Sequence, residues 1–236
     1  MAGFALALAA ALAAVLAGFG SRWGLWEFRA GFTVLKWASF AALAAAAVSL
    51  AGVLATRPGG SRRGMGFALL GLLVGLGTAY VPWSWKRTAE RVPPIHDITT
   101  DMADPPGFVA IAPLREGAAN PMEYGGAELA AQQRAGYPDI EPLTLNIPPV
   151  AGFDRALKAA REMDWAIVAA DSAAGRIEAT DTTFWFGFKD DVVIRVTPFG
   201  GGSRIDVRSV SRVGKSDVGT NATRIRAYLE KLAATG

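Results

Sequence analysis

The chain has 236 residues and a formal net charge of +3, and 51% of its residues are hydrophobic. Residues 1–91 contain nine Lys or Arg and two acidic residues (+7), whereas residues 92–236 contain fifteen and nineteen (−4). Proteins that bind nucleic acid concentrate basic charge on a soluble face. Here the basic charge lies in the apolar first part, which excludes nucleic acid as a predicted partner. The lack of Cys suits an oxidising or a reducing compartment.

Three uncharged runs predict membrane-spanning helices in the first part of the chain. They cover residues 1–20, 37–55 and 64–85, and about 20 apolar residues are enough to cross a bilayer core. Lys and Arg lie between the runs and Trp lies at their ends, as at membrane interfaces. A soluble helical bundle would need a polar face, which these runs lack. We therefore predict a multi-pass membrane anchor over residues 1–91.

Two features of the anchor leave alternatives open. The first run ends in the small residues Ala17 and Gly18, as a cleaved signal peptide does, but no basic leader precedes it, which favours a retained helix. Six Lys or Arg flank the runs on the side of residues 92–236, against three in the basic cluster at 57–63. By the positive-inside rule this distribution favours a cytoplasmic domain. In the third run, Gly71 and Gly75 form a small-xxx-small pair that permits close helix packing.

A Pro-rich stretch begins the second part. Ten of the thirteen prolines fall between Pro93 and Pro149, a density that prevents regular helix and removes the donors that a sheet needs. Apolar residues such as Ile95 and Ile111 recur in it, unlike in a disordered tether. We predict an irregular but packed wrap over residues 92–149, with a short helix at about 126–134.

The hydrophobic period over residues 150–236 predicts an α+β fold. The predicted elements are a helix over 153–163, strands over 165–170, 176–183, 191–198 and 204–208, and a helix over 217–233, with 143–147 as a further strand. Alternation places Ile205 and Val207 on a dry face and Arg204, Asp206 and Arg208 on a wet face. The apolar stripe of the long C-terminal helix covers the dry face, an order compatible by analogy with a helix-grip fold.

The tripeptide GKS at 214–216 raises the question of a nucleotide-binding loop. That loop has the pattern G-x-x-x-x-G-K-[ST], but its first Gly would fall at Ser209, so we exclude a nucleotide ligand. Instead, Ser216 or Asp217 is predicted to cap the last helix. The alternative is an anion site at the helix N-terminus, assisted by Arg212 and Lys215.

Few residues suggest catalysis or metal binding. The acidic neighbours of His96, the single histidine, are Asp97, Asp101 and Asp104. Acids in a Pro-rich loop commonly serve turns and caps rather than a metal. Asp190 and Asp191 point to opposite faces of a strand, so they do not form an acid–base pair. No Cys nucleophile or G-x-S-x-G motif is present, and we predict neither a metal nor a cofactor.

Two further groups of residues are candidates for a binding surface. Alternation sends Phe184, Phe186 and Phe188 to one side, as core residues, and Trp185 to the other, at a groove mouth or the bilayer interface. A polar network is predicted to tie the last strand to the final helix, and its members are Arg208, Ser211, Arg212, Asp217 and Asn221. The segment 93–101 is expected to join this network as well, because Pro-rich backbone leaves carbonyl groups that need hydrogen-bond donors.

Three blocks carry a family resemblance. They are PPIHDITTD (93–101), FWFGFKDDVVIRV (184–196) and VRSVSRVGKSDVGTNATRIR (207–226). In order and spacing they resemble the bacterial domain-of-unknown-function family 1499 (DUF1499), over residues 92–234. The resemblance implies no established activity, cofactor or catalytic residue. Some members carry export or lipoprotein-like leaders, which implies a periplasmic domain and opposes the charge count.

The sequence therefore predicts a non-catalytic binding or assembly module of the cell envelope, anchored in the bacterial inner membrane. Its expected partner is membrane lipid or a membrane protein. Its candidate binding residues are His96, Asp97, Asp101, Trp185, Phe186, Asp190, Asp191, Arg208, Ser211, Arg212, Lys215, Asp217 and Asn221. The alternative is a membrane-tethered enzyme that acts on a lipid or envelope precursor. That enzyme requires one pocket formed by His96, Asp97, Asp191, Arg208, Arg212 and Asp217.

Overall fold

The computed structural model describes residues 1–56 and 63–234, which form two units. The first comprises Met1–Arg87 together with Phe184–Gly187, and the second comprises Thr88–Thr183 and Phe188–Gly236. Arg57 and Arg62, which belong to the predicted basic cluster, lie outside the described residues.

The first unit contains three long apolar helices, α1 (Ala2–Arg22), α2 (Phe28–Ala55) and α3 (Met65–Ala89). Each is long and apolar enough to cross a membrane, as the three uncharged runs predicted. Helix α2 begins nine residues before its run, because Arg29 and Lys36 interrupt the apolar composition but are good helix formers.

Small residues make the closest contacts between these helices. A Cβ atom at Gly3 or at Gly71 would lie 2.4 Å from Ser49 Oγ, and one at Gly75 would lie 2.7 Å from the Ala42 carbonyl oxygen. Gly3 and Gly71 lie near the starts of α1 and α3, whereas Ser49 lies near the end of α2, so α2 is antiparallel to both. The predicted small-xxx-small pair thus lies where helix backbones approach closely.

The second unit contains an antiparallel sheet in the order β1-β6-β5-β4-β3, and β2 also pairs with β6. The strands are β1 (Asp97–Thr99), β2 (Leu143–Leu145), β3 (Ala166–Asp171), β4 (Arg176–Thr182), β5 (Lys189–Phe199) and β6 (Gly202–Ser211). In register, Asp191 lies opposite Val210 and Val193 lies opposite Arg208. The central strands β5 and β6 therefore carry most of the candidate residues.

Helices α5 (Pro149–Glu162) and α6 (Thr220–Ala234) pack with the sheet around one hydrophobic core. Pro149 is the first residue of α5, where its missing N–H leaves no hydrogen bond unmade. Core residues from the sheet include Ile177, Val192, Ile194, Ile205 and Val207, and those from the helices include Phe153, Ala156, Ile225, Tyr228 and Leu232. The predicted α+β class, with an antiparallel sheet and a long C-terminal helix, is confirmed.

The Pro-rich segment adds a short 3₁₀ helix at Ala112–Arg115 and the helix α4 (Gly126–Gly136). Gln133 of α4 holds β1 through the backbone of Thr99, accepting from its N–H at 3.0 Å and donating to its carbonyl at 2.6 Å. Pairing with a side-chain amide at both backbone groups extends the hydrogen bonding of the sheet beyond its edge strand.

Helix α6 begins at Thr220, three residues later than predicted. Val218 and Gly219 have φ values of 55° and 83°, and left-handed residues do not continue a right-handed helix. Gly219 therefore lies in a bend before the helix, where the conformational freedom of Gly is required.

Candidate functional site

The sheet face opposite α5 and α6 carries buried charges. Its ionisable side chains include Glu178, Asp191, Asp206 and Arg208, each at most 3% exposed. The prediction of a wet face was wrong for Asp206 and Arg208. Residues between Pro106 and Met122 bond to these side chains, so the Pro-rich segment covers this face and takes the place of water.

Asp191 is the centre of one charge cluster. Its Oδ2 accepts from Arg115 Nη1 at 2.7 Å and from Arg212 Nε at 2.9 Å. Its Oδ1 accepts from Arg212 Nη2 at 2.8 Å and from Thr180 Oγ1 at 2.7 Å. Burial by itself would raise the pKa of Asp191, but the hydrogen bonds from Arg212, Thr180 and Arg115 outweigh it, so the pKa lies below its ordinary value.

Arg208 and Asp97 form a second buried pair. The guanidinium donates from Nε and Nη2 to the two carboxylate oxygens at 2.9 and 2.8 Å, a bidentate geometry that is stronger than a single bond. It also donates to the carbonyl oxygens of Pro106 and Met122 at 3.2 and 2.6 Å. Its carbon lies 5.4 and 5.5 Å from two ring centres, those of Phe108 and Tyr124. This pair binds the Pro-rich segment to β1 and β6.

Glu178 is an acceptor that sequence reasoning missed. Its carboxylate accepts hydrogen bonds from the N–H groups of Val109, Ala110 and Ile111 at 2.9–3.1 Å. It also contacts Arg176 Nε at 3.1 Å. These N–H groups precede the 3₁₀ helix and need an acceptor. The signal available in the sequence was weak, because Glu178 alternates with Ile177 and Ala179 in a strand that also carries Arg176 and Asp181.

On the opposite face, Asp190 pairs with Arg224 of α6. Arg224 Nη2 lies 2.6 Å from Asp190 Oδ2, and its Nε lies 2.7 Å from Asp181 Oδ2. Asp190 and Asp191 therefore point to opposite faces of β5, as the alternation predicted. Arg224 was not a candidate residue. The hydrophobic pattern of a helix shows which of its faces is apolar, but it does not show which distant carboxylate pairs with an arginine on that helix.

Asn221 joins α6 to β6 and to the segment before β1. Its Oδ1 accepts from Ser209 Oγ at 2.7 Å and from Arg224 Nη1 at 2.6 Å. Its Nδ2 donates to the His96 carbonyl oxygen and to Ser211 Oγ, both at 3.0 Å. The segment 93–101 thus takes part through a backbone carbonyl group, as expected.

The structure does not form the single network predicted around these residues. Ser211 and Asn221 belong to the face of α6, whereas Arg208 and Arg212 bond to carboxylates on the opposite face. Successive residues of a strand alternate between faces, and Arg212 follows directly on Ser211. The prediction of one network was therefore wrong.

The remaining acidic and basic candidates serve turns and further ion pairs. Asp101 Oδ2 accepts from Arg195 and Arg204 at 3.2 and 2.8 Å, while its Oδ1 accepts backbone N–H groups in its own turn. His96 Nδ1 lies 3.3 Å from the Lys215 carbonyl oxygen. The predicted turn role is therefore found for Asp101, whereas Asp97 lies in β1 and pairs with Arg208.

Asp217 stabilises the bend before α6 rather than pairing with a guanidinium. Its Oδ1 accepts from the Gly219 N–H at 2.8 Å and its Oδ2 from the Asn221 N–H at 2.7 Å, which satisfies two amides at the helix start. Its own N–H donates to the Ile95 carbonyl oxygen at 3.1 Å. Burial raises the pKa of this carboxyl group above its ordinary value.

We expect Asp217→Asn to lower the free energy of unfolding of the second unit by about 1–3 kcal/mol. An Asn amide places an NH₂ group against one of the two N–H donors and leaves that donor unpaired. Thermal unfolding of the full chain in mild detergent measures the effect, with Asp154→Asn, an exposed change in α5, as the control. Equal melting temperatures for the two variants would contradict the capping role of Asp217.

Trp185 and Phe186 belong to the first unit, in a turn between β4 and β5. Trp185 Nε1 donates to the Val15 carbonyl oxygen at 2.9 Å, and the Phe186 ring centre lies 4.8 Å from that of Phe32. Phe186 is buried whereas Phe184 is 79% exposed. The prediction that these two Phe side chains share a side was wrong, because the residues form a turn and strand alternation does not apply.

The charged candidates thus fall into separate contact sets. Among residues 1–56 and 63–234, no group of three or more His, Cys, Asp or Glu side chains could hold a metal ion. A shallow depression of about 480 Å³, lined by residues between Ala112 and Glu123, borders Arg115. The six residues that the enzyme alternative requires do not converge there, and their observed role is to hold the Pro-rich segment and α6 on the sheet.

Comparison with known protein families gives a match over the part of the chain that contains the sheet. The family model for proteins of unknown function DUF1499 matches residues 97–232, which is more than half of the chain. No curated protein matches the chain. The match confirms the resemblance carried by the three sequence blocks. The chain therefore belongs to the DUF1499 family.

Proposed function

We propose that the protein is a non-catalytic binding or assembly module of the bacterial cell envelope, held in the inner membrane by three spanning helices. Its partner is membrane lipid or a membrane protein. Residues 92–236 lie on the periplasmic side, by analogy with the family members that carry export leaders. The distribution of Lys and Arg favours the cytoplasm instead.

The observation that carries this proposal is the surface of the first unit. Helices α1, α2 and α3 are long and apolar enough to span, and large side chains such as Trp23, Trp37 and Leu73 are more than 60% exposed on them or at their ends. An apolar surface of this kind is unfavourable in water and stable in lipid.

The ion pairs of the second unit weigh against a catalytic role for the carboxylates that they contain. Asp97, Asp190 and Asp191 are each bonded to buried guanidinium groups, and their partners lie on two faces of the sheet. A general acid or base must reach the proton of a bound substrate. Groups held in ion pairs beneath a covering segment are better suited to stability than to turnover.

The test is membrane fractionation followed by purification in mild detergent. We expect the full chain to resist carbonate extraction, because three spanning helices hold it in the bilayer, and to purify with bound lipid or a membrane protein, identified by mass spectrometry. Release by carbonate would overturn the anchor, and a bare monomer without lipid would overturn the binding role. Labelling of a Phe199→Cys variant by a membrane-impermeant maleimide from outside spheroplasts tests the periplasmic side.

A further inference from the structure

An exposed aromatic side chain lies at the end of the first unit where α1 finishes. Phe184, in the turn between β4 and β5, packs edge-on against Phe19 of α1 with ring centres 5.4 Å apart. Phe19 in turn stacks with Trp23 at 5.5 Å. Phe184 and Trp23 remain 79% and 62% exposed, so the three rings form a patch that this chain covers only in part.

The polar groups around this patch are bonded within the unit. Arg22 Nη1 donates to the Phe184 carbonyl oxygen at 3.0 Å, and Trp185 Nε1 donates to the Val15 carbonyl oxygen at 2.9 Å. Backbone and indole groups that lack partners are costly in a lipid environment. These internal hydrogen bonds lower the cost of placing the turn against lipid, a cost that a loop bonded only to water would have to meet.

The rest of this end of the unit has the composition of a membrane interface. Aromatic rings lie beside the ends of α1 and α3, those of Trp23, Trp26, Trp83 and Trp85. Lys86 and Arg87 occupy the last turn of α3, and Arg22 ends α1. Indole rings and basic side chains favour the headgroup layer, where the rings contact acyl chains and the charges meet phosphate groups.

The close packing of Trp185 shows that the turn is fitted to the helices. A Cβ atom at Gly18 would lie 2.2 Å from Trp185 Cδ1, and one at Gly31 would lie 3.0 Å from Phe186 Cε1. The Trp185 ring also lies 5.1 Å from that of Trp85 in α3. Trp185 and Phe186 are thus engaged by the helices, which leaves Phe184 as the side chain of the turn directed to the surroundings.

We infer that Phe184 contacts the phospholipid interface, so that the turn Phe184–Gly187 is a membrane-contact element in addition to the three helices. This inference rests on the proposed function, because it requires the helices to span a bilayer. The occupant is phospholipid rather than protein, because the patch is continuous with the apolar surface of α1 and is bordered by indole rings and basic residues.

The chain lacks Cys, so a single introduced Cys can carry a polarity-sensitive fluorophore. The two probe variants are Phe184→Cys and Phe199→Cys, each in the full chain reconstituted in vesicles of phosphatidylcholine and phosphatidylglycerol. Phe199 is a matched control, since it is an exposed Phe at the far end of β5, roughly 33 Å along the strand from its start. Quenchers are lipids that carry a nitroxide either near the glycerol backbone or near the end of the acyl chain, and iodide in the water.

We expect the probe at 184 to lose emission with the shallow lipid quencher, less with the deep one, and little with iodide. The probe at 199 should respond mainly to iodide. Equal responses at the two positions would overturn the inference. A probe at 184 that neither the lipid quenchers nor iodide can reach would also overturn it, and would indicate a protein partner. Flotation of the chain with the vesicles is measured in the same samples: chains that fail to float contradict the anchor, whereas floating chains with a water-exposed probe contradict only the lipid contact.

Discussion

Replacing Asp191 by Asn is expected to lower the free energy of unfolding of the second unit by about 3–5 kcal/mol, because it leaves buried guanidinium groups without their counter-charge. The side chains of Arg115 and Asp191 are 2% and 0% exposed. Arg212 donates two bonds to the two oxygens of this carboxylate, and the Asn amide has only one oxygen left to accept. Urea-dependent pulse proteolysis of the full chain in mild detergent, scored on fragments of the second unit, measures the change.

The control for this variant is Asp139→Asn. Asp139 also pairs with an arginine, Arg226, but both side chains are more than a third exposed. Exposed pairs contribute about 0–1 kcal/mol, since solvent screens them. A cost for Asp191→Asn no greater than that of the control would show that the buried cluster does not hold the sheet and the Pro-rich segment together.

The pH dependence of this cost has a definite sign. The pKa of Asp191 lies below its ordinary value of 3.8, so its ionised form stabilises the fold above that pH, and this contribution is lost as the pH falls through the folded-state pKa. The difference between the wild type and Asp191→Asn should therefore shrink as the medium is acidified below about pH 3.8. For Asp217, whose folded pKa is raised, the difference between the wild type and Asp217→Asn should grow as the pH falls from neutral towards 3.8.

The elements of the fold were predictable where burial follows a period. The alternation of Ile205 and Val207 with charged residues marked β6, and the spacing of Ile225, Leu229 and Leu232 marked α6. These patterns come from a face that packs on the core, which is a local property of the sequence. The three uncharged runs marked α1, α2 and α3 for a different reason, because a helix that crosses a bilayer requires continuous apolar composition over a fixed length.

The pairing of charges was not predictable from the same patterns. Alternation shows that Arg208 and Asp191 lie opposite the core, but it does not distinguish a hydrated face from one covered by another segment. The covering segment lies far away in sequence: Arg115 and Asp191 are 76 residues apart. Prolines in that segment remove regular periodicity, so its contacts could be found only from the folded structure.

The aromatic turn shows a different limit of the sequence. Phe184, Trp185 and Phe186 have the composition of a strand, and strand alternation predicts that the two Phe side chains share a side. Gly187 has a φ of 70°, a conformation typical of turns, and the hydrogen bonds between Thr183 and Phe188 close the hairpin. The turn residues pack with helices that precede them by at least 100 residues in the sequence, contacts that no local pattern encodes.

Arg208→Met is expected to destabilise the second unit by about 3–5 kcal/mol, because Asp97 then stays buried without a counter-charge. Met has a similar length, so the loss is mainly electrostatic rather than a cavity. The carbonyl groups of Pro106 and Met122 also lose a donor. Hydrogen exchange of the full chain, followed by mass spectrometry, should show faster exchange in peptides from 100–124, while peptides from α1 to α3 keep the wild-type rate.

A double-mutant cycle separates the ion pair from other effects of Arg208. Asp97→Asn removes the charge that Arg208→Met would leave unpaired, so the double variant should be less destabilised than the sum of the single variants by about 0.5–3 kcal/mol. Arg208→Lys keeps the charge but not the planar fork that meets both Asp97 oxygens, so it should fall between the wild type and Met. Additive single effects, or a Lys variant as stable as the wild type, would mean that the bidentate pair does not hold the Pro-rich segment on the sheet. The hydrogen bonds from Val109, Ala110 and Ile111 to Glu178 would then have to hold that segment in place.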